Sequence, residues 1–409
     1  MFSWSRLPQS CATIEAVTTT QADVRTRVEE ALDRLLAEND PSGDPVAFLG
    51  ARFDLGLAWV WFPEGLGGMA APRSLQTMIE ERLAEAAAPH PNTFNLLGVG
   101  MGAPVLMEFG TPEQQQRWLR PMFTGEEIWC QLFSEPGAGS DVAALAMRGV
   151  RDGDEWVVNG QKVWTTIAHV SKWGMLVVRT DPEVPKHKGL SYFIVDMHAD
   201  GVEVRPLRQA TGEAEFNEVY FTDVRIPDSD RIGAVGDGWR VSLATLMNER
   251  VTIGAGIAPR GSGAIAEAVR TWQEYGHDDP AALDELMSLW VEAEAARLTN
   301  LRAAQLRSKG TPGPEGSTAK LVYAELNKRI YELVVDLMGA DGMLFDSYSM
   351  ERPAGFGKLS RQKAFVRARA NSIEGGTSEI MRNILGERVL GLPGEPRVDK
   401  DLPWSQVPR

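Results

Sequence analysis

The spacing of apolar residues along this chain changes twice, and that change limits the folds open to it. From about residue 22 to 125 apolar residues recur at helical spacing. Between about 128 and 224 short runs typical of strands alternate with Gly, Pro and Asp, and beyond Trp239 helical spacing returns. We therefore predict an α+β protein with three parts, namely a helical domain (1–127), a small β-barrel domain (128–235) and a helical bundle with a C-terminal tail (236–409).

The charge balance restricts the class of partner. The chain of 409 residues has 42 Lys and Arg against 56 Asp and Glu, a formal net charge of −14, and no basic block. Nucleic-acid binding is therefore excluded as the main task. An anionic ligand would have to be held by local cations and N–H groups, because the overall field repels it.

Metal-site and membrane signals are absent from the sequence. Cys11 and Cys130 lie far apart, and none of the five histidines has a ligand spacing, so we predict no metal site. No apolar run approaches the length of a membrane span, and the first residues lack the apolar core of a signal peptide. These features predict a cytoplasmic protein.

Two polar stretches in the β-region carry the candidate chemistry. The first is Phe133–Asp141, in which two glycines permit close approach of a ligand while Ser134, Ser140 and Asp141 offer polar groups. The second is Asn159–Thr166, which opens on an Asn-Gly pair typical of a hairpin turn and ends on one indole and two hydroxyls. Each stretch alone is compatible with ordinary turn chemistry.

In this order and spacing, the two stretches resemble the flavin-binding segments of the acyl-CoA dehydrogenase family, and the resemblance extends over nearly the whole chain. It implies an acyl-CoA dehydrogenase-like fold, an FAD cofactor and an acyl-CoA substrate. By resemblance, Ser134 contacts the pyrimidine edge of the flavin, Trp164 and Thr166 lie by its ring, and Ser140 contacts the CoA chain. The residues so assigned to the cofactor are Gln131, Phe133, Ser134, Gly139, Ser140, Trp164, Thr165, Thr166, Thr377 and Glu379. Those assigned to the substrate are Ser140, Met247 and Arg250.

The catalytic base distinguishes two branches of that family. One branch places a Glu directly before Gly-Thr-Ser near the C-terminus; here that position is Gly375, and Glu374 falls one residue early. The other branch, with the isovaleryl- and long-chain-type enzymes, takes the base from a Glu-Arg dipeptide on a helix, which Glu249 and Arg250 reproduce. We predict Glu249 as the base, with Glu374 as the alternative. The resemblance implies that the N–H of Gly375 binds the thioester oxygen.

Two segments depart from the family pattern. Many relatives have Arg-x-x-Phe-Gly about twenty-five residues after the helix Arg, where it contacts the FAD of a neighbouring subunit; this chain has Glu274–Asp279 instead. Asp336–Ala340 likewise replaces a Gln-containing segment that serves the same FAD. The departures predict altered FAD contacts between subunits, and either a homo-oligomer or a hetero-oligomer of dehydrogenase subunits.

The resemblance implies an FAD-dependent acyl-CoA dehydrogenase that passes electrons to an electron-transfer flavoprotein. Two alternatives stay open. One is an oxygen-using oxidase or monooxygenase of the same fold, and the other is a non-catalytic subunit of a hetero-oligomeric dehydrogenase.

Overall fold

The computed structural model describes residues 21–254, 259–276, 278–308, 315–350, 359–396 and 399–407. Its N-terminal part is helical. The helices are α1 (Gln21–Glu38), α2 (Pro45–Asp54), α3 (Leu75–Glu85), α4 (Asn92–Leu97), α5 (Ala103–Phe109) and α6 (Pro112–Thr124). Local sequence explains their ends: at the start of α6, Thr111 and Gln114 form a reciprocal capping box, with Pro112 in the first turn.

The central part is a mixed β-sheet. Its described strands are β1 (Trp129–Leu132), β2 (Arg148–Asp152), β3 (Glu155–Thr166), β4 (Trp173–Arg179), β5 (Leu190–Asp196), β6 (Val202–Leu207), β7 (Phe216–Pro227) and β8 (Arg231–Ile232). Hydrogen bonds join them in the order β6-β7-β3-β2-β4-β5-β8, with β1 parallel to β4 at the side. The α+β class is confirmed. What the sequence analysis predicted as a barrel is, within the described residues, a sheet whose path has two ends.

The hairpin prediction at Asn159-Gly160 is wrong. Strand β3 continues through both residues, and the register against β7 shifts between Val158 and Gly160, which makes this site a β-bulge. Gly160 has φ of +148°, and a Cβ there would lie 2.7 Å from Met147 Cγ, so the glycine serves the bulge. The tight turn is instead at Gly153, between β2 and β3.

The two faces of the sheet belong to different cores. In β4, Met175 and Val177 pack with the N-terminal helices, whereas Leu176 and Val178 point into a core formed by the strands themselves. All seven residues of β4 are buried, as expected of a central strand covered on both faces. The strand thus joins the helical and β parts into one packed unit.

The C-terminal part is helical again. Its helices are α7 (Gly238–Gly254), α8 (Ala264–Tyr275), α9 (Pro280–Ser308), α10 (Glu315–Met338), α11 (Arg361–Ala368) and α12 (Ser378–Arg388). Leu286 and Leu289 of α9 and Ile330 of α10 form the centre of this bundle. Helix α7 packs against β5, α5 and α10, so it links all three parts of the chain.

Candidate active site

The main chain brings the two polar stretches side by side. Directly after β1, the carbonyl oxygen of Ser134 accepts a hydrogen bond of 2.9 Å from the N–H of Val163 in β3. Val163 directly precedes Trp164, so the start of the first stretch lies beside the part of the second stretch that carries the indole. Gln131, a further predicted flavin residue, is half-buried in β1.

A buried ion pair connects the same two stretches through side chains. Lys162 Nζ donates to Glu135 Oε1 at 2.9 Å and to the Phe133 carbonyl oxygen at 3.0 Å, and the lysine is fully buried. Burial lowers the pKa of Lys162, while the Glu135 carboxylate opposes that shift. Glu135 also accepts from the N–H groups of Ala146 and Met147. One carboxylate thus fixes both ends of the glycine-containing loop.

Trp164 is held in an unusual backbone conformation at the surface. Its φ is +60°, which is a strained value for a bulky residue, and the register of β3 against β7 shifts between Lys162 and Thr165. The indole is 58% exposed and meets the Phe216 ring edge-on, with centroids 6.0 Å apart. A large, flat, exposed apolar surface held under strain indicates a place for a flat ligand.

The two threonines that follow differ in environment. Thr165 is fully buried, and within the described residues its Oγ1 has no hydrogen-bond partner. Its carbonyl oxygen accepts from Asn217 Nδ2 at 3.0 Å, which fixes the backbone here. Thr166 is half-buried opposite Phe216 in β7. The half-buried Thr166 hydroxyl is therefore the more accessible of the two for a ligand.

The glycines of the first stretch face open space. A Cβ on Gly137 or Gly139 would meet no atom within 4 Å, and neither glycine has a positive φ. The protein fold itself therefore does not require glycine at these positions, and the open space beside them is compatible with close approach of a ligand. Ser140 is exposed directly after them.

The C-terminal turn lies against helix α10. Gly375 and Gly376 have φ of +63° and +96°, and Lys320 of α10 donates to the carbonyl oxygens of Asn371 and Gly376. Thr377 accepts from the N–H of Ile380 and so caps α12.

Glu379 follows in the first turn of α12, and its side chain is 75% exposed, with Arg382 nearby at 3.5 Å. Thr377 and Glu379 thus lie at the start of one helix, directly after the Gly375 turn.

Glu374 is occupied by partners in its own segment. Its two carboxylate oxygens accept from Arg367 at 3.0 and 2.7 Å, and Asn371 donates to the same side chain at 2.8 Å. The Arg367 guanidinium also lies 5.7 Å from the centre of the Phe216 ring, which in turn contacts Trp164. Through Arg367 and Phe216, the C-terminal turn and the second polar stretch meet in space.

The other candidate base lies on α7. Glu249 and Arg250 belong to this helix, but their side chains lie outside the described residues, so their role stays a prediction. Met247 is 64% exposed on the same helix. Thr245 of the same helix is buried, with its hydroxyl 3.3 Å from the Tyr192 hydroxyl, so the face of α7 that carries Thr245 points into the core.

Sequence reasoning missed the residues that hold this site together. Lys162, Glu135, Phe216 and Arg367 were not among the predicted positions. Lys162 is buried in β3 between the half-buried Gln161 and Val163, and a buried lysine requires a carboxylate partner. For Arg367 and Phe216 the sequence carries no signal, since they are 151 residues apart (367 − 216) and meet only in the fold.

Family models match three consecutive parts of the chain. The N-terminal domain model of acyl-CoA dehydrogenases matches residues 15–126, the middle domain model matches 130–224, and the C-terminal domain model matches 236–390. The chain belongs to the acyl-CoA dehydrogenase family. Members of this family are FAD-binding oxidoreductases that act on CH–CH bonds, and the chain is an enzyme of this kind.

Individual relatives agree with this assignment. Over 346 residues the chain is 39% identical to the acyl-CoA dehydrogenase IpdE1 of Mycobacterium tuberculosis, with 84% of this chain and 86% of the relative covered. The ChsE4-ChsE5 complex from Mycobacterium tuberculosis matches with a TM-score of 0.68 at 28% identity, covering 93% of this chain and 100% of that one. The Tcur3481-Tcur3483 steroid ACAD matches with a TM-score of 0.70 at 25% identity, covering 92% and 97%.

The residues present fit an FAD molecule. A flavin has a flat ring with polar edges, and this site offers the exposed Trp164 indole, the accessible Thr166 hydroxyl and the open Gly137–Gly139 loop. In the part of the chain that the structure describes, no group of three His, Cys, Asp or Glu side chains is arranged to hold a metal ion. None of the described helices is long and apolar enough to cross a bilayer.

Proposed function

We propose that this enzyme removes hydrogen from the α and β carbons of an acyl-CoA thioester. The observation that carries the proposal is the convergence of both polar stretches with the C-terminal turn, through the contacts of Trp164, Phe216 and Arg367. This arrangement lets one site hold a flat cofactor beside a thioester.

Each reacting group has a candidate residue. Glu249 on α7 would take the α-proton, and the Gly375 N–H would bind the thioester oxygen and polarise the carbonyl. Bound FAD supplies the hydride acceptor for the β-carbon. Glu374 would instead orient the turn, because its carboxylate already pairs with Arg367. A carboxylate whose two oxygens accept from a guanidinium is less available to take a proton.

The descriptions of similar proteins indicate which acyl groups to test first. One similar structure is described as a steroid ACAD, so ring-bearing acyl groups come first among the substrates to be tested. Turnover of straight, branched and ring-bearing CoA esters, followed by mass spectrometry, would identify the class. A loss of two hydrogens from one class supports dehydrogenation, and no turnover of any ester by FAD-loaded protein would contradict it.

The electron acceptor separates this function from the oxidase alternative. We propose an electron-transfer flavoprotein as the acceptor, and a cytoplasmic location for the reaction. Stopped-flow mixing of reduced enzyme with air-saturated buffer tests the first point. Slow reoxidation by oxygen and fast reoxidation by an electron-transfer flavoprotein are expected. Fast reoxidation by oxygen alone would favour an oxidase, and a purified protein that binds no flavin would favour a non-catalytic subunit.

We further propose that the enzyme assembles with a second, non-identical subunit. The two segments that depart from the family pattern meet at one cavity of about 590 Å³, whose lining includes Tyr275 and Leu333. Four carboxylate residues line it, namely Asp278, Asp279, Glu285 and Asp336. An FAD pyrophosphate from a neighbouring copy would be repelled there. The ChsE4-ChsE5 and Tcur3481-Tcur3483 structures each carry the names of two proteins.

Assembly is tested by light scattering and FAD titration of the chain expressed alone. Weak FAD retention on dilution is expected. The double variant Asp279→Asn, Asp336→Asn should improve FAD retention, because the repulsion of the FAD pyrophosphate falls. The amide side chain introduced at position 279 can still cap α9. Asp284→Asn, at an exposed position that does not line the cavity, is the matched control. A stable homotetramer that keeps its FAD on dilution would remove the reason for a second subunit.

A further inference from the structure

The C-terminal tail, residues 399–407, lies on the loop that joins β4 and β5. The N–H of Trp404 donates to the Val184 carbonyl oxygen and the N–H of Ser405 to that of Pro182, both at 2.9 Å. Pro403 also forms a β-bridge with Pro185. This segment is therefore joined to the β-domain by its main chain and not only by side-chain contacts.

The Trp404 side chain closes a cluster around a buried arginine. Its ring lies over the Arg179 guanidinium at 4.5 Å, and Arg179 is only 2% exposed. Arg179 donates to the carbonyl oxygens of Ala143 and Leu145, at 2.6 and 3.2 Å. Trp404 Nε1 donates to the carbonyl oxygen of Ala144, which lies between them, at 3.1 Å. Three consecutive carbonyl groups are thus held by the tail and the arginine that it covers.

A second contact reaches the first polar stretch itself. Lys186 Nζ lies 2.7 Å from Asp141 and 2.7 Å from Asp399, and its side chain is only 14% exposed. Asp141 directly follows Ser140. One ammonium group therefore links the tail to the residue next to the predicted CoA contact.

The loop between these anchors has one buried residue, Ala138, whose main chain pairs with Glu135, and the anchors hold the residues that follow it. On either side of Ala138, a Cβ on Gly137 or Gly139 would meet no atom within 4 Å, so these two positions face open space. Glu135 holds the N–H groups that follow the loop at Ala146 and Met147. The tail holds residues 141–145, which directly precede those N–H groups.

We propose that the tail is a positioning element for substrate binding, with Trp404 and Asp399 as positioning residues. They hold the loop that presents Ser140 to the CoA part of the substrate. This proposal rests on the proposed function, because it assigns the loop to acyl-CoA binding. The tail residues act through the loop and do not touch the reacting atoms.

Steady-state kinetics of the full-length, FAD-loaded protein test the proposal. Trp404→Ala should raise the KM for the acyl-CoA ester by about three- to tenfold, the effect of losing roughly one stacking or hydrogen-bond contact. It should lower kcat far less. Trp404→Phe keeps a ring over Arg179 but loses the bond to Ala144, so it should restore part of the affinity. Asp399→Asn should raise KM by a smaller factor.

Two tail positions serve as matched controls. Asp401→Asn removes a carboxylate two residues from Asp399, at an exposed position, and Leu402→Ala removes an exposed apolar side chain beside the docked segment. Both should leave KM unchanged. The proposal would be overturned if Trp404→Ala had the same KM as Leu402→Ala. It would also be overturned if Trp404→Ala lowered kcat by as large a factor as it raised KM and Trp404→Phe restored neither.

A second measurement does not require activity. Hydrogen exchange of the amides at 137–145 should be faster in Trp404→Ala and Asp399→Asn than in the two controls, while exchange in β4 stays unchanged. Unchanged exchange in this loop would overturn the positioning role even if kinetics cannot be measured. Faster exchange, together with no turnover of any CoA ester by the unaltered protein, would support the role of the tail in holding the loop and would contradict the proposed function.

Discussion

The Nζ atom of Lys162 lies 2.9 Å from Glu135 Oε1, and the side chains are 0% and 8% exposed. This pair joins the two stretches that are predicted to hold the cofactor. It also places the Phe133 carbonyl and the N–H groups of Ala146 and Met147 around one carboxylate. The contact therefore determines where Ser134 and Trp164 stand relative to each other.

Lys162→Met should destabilise the protein strongly. Removal of the lysine leaves the buried Glu135 carboxylate without its cation, and breaking a buried pair costs about 3–5 kcal/mol. Lys162→Met with Glu135→Gln should recover part of that loss, because a neutral amide replaces the unpaired carboxylate. Urea unfolding gives the free energies. Lys172→Met breaks the half-exposed pair with Asp196 and serves as the control, at less than about 1 kcal/mol. Equal losses in both single variants would show that burial of the pair is unimportant.

The purified enzyme should be yellow, with about one FAD for each active site, as expected of a flavin cofactor enzyme. Trp164→Ala combined with Thr166→Ala should weaken flavin retention, because the flat apolar surface and an accessible hydroxyl are both lost. Gel filtration followed by the absorbance ratio of flavin to protein measures retention. Val150→Ala with Thr222→Ala, two exposed positions in the same sheet, is the control. Full FAD occupancy with an unchanged flavin spectrum in the first double variant would refute the assignment.

Glu249→Gln should lose turnover by a factor of about 10²–10⁴, the usual contribution of a positioned general base, while the flavin colour is kept. Glu374→Gln should keep most activity, because the Glu374 carboxylate pairs with Arg367 and Asn371. Single-turnover reduction of the flavin by the CoA ester compares the two. An inactive Glu374→Gln protein beside an active Glu249→Gln protein would reverse the assignment.

Asp228 should contribute stability that depends on pH. Hydrogen bonds from Arg231, and another from Trp156 Nε1, lower the pKa of Asp228 from its ordinary 3.8 to about 2. A lowered pKa stabilises the fold fully above pH 3.8, and the contribution disappears as the pH falls toward 2. Asp228→Asn should therefore be less stable than the unaltered protein at pH 7, with a smaller difference at about pH 3. Thermal unfolding at both pH values measures this, with Asp200→Asn, at an exposed position, as the control for charge. A difference that stays constant with pH would contradict the linkage.

Local pattern and local chemistry predicted much of the fold. The change from helical to strand spacing indicated the α+β class, and the cap at the start of α6 joins Thr111 to Gln114, only three residues away. These features depend on neighbours within one or two turns, which the sequence contains. The hairpin predicted at Asn159-Gly160 was wrong because its conformation depends on residues that are distant in the sequence. The same dipeptide suits a hairpin or a bulge, and pairing with β7 and contact with Met147 select the bulge.

The sequence by itself determined the order of elements, the two polar stretches and the family, because each is encoded in residues close together along the chain. Only the tertiary structure decided which distant groups meet. Lys162 with Glu135, Arg367 with Phe216, and Trp404 with Arg179 are contacts of that kind. The packing of whole elements sets these pairs. Burial requires a partner for each charge, and the fold determines which residue that partner is.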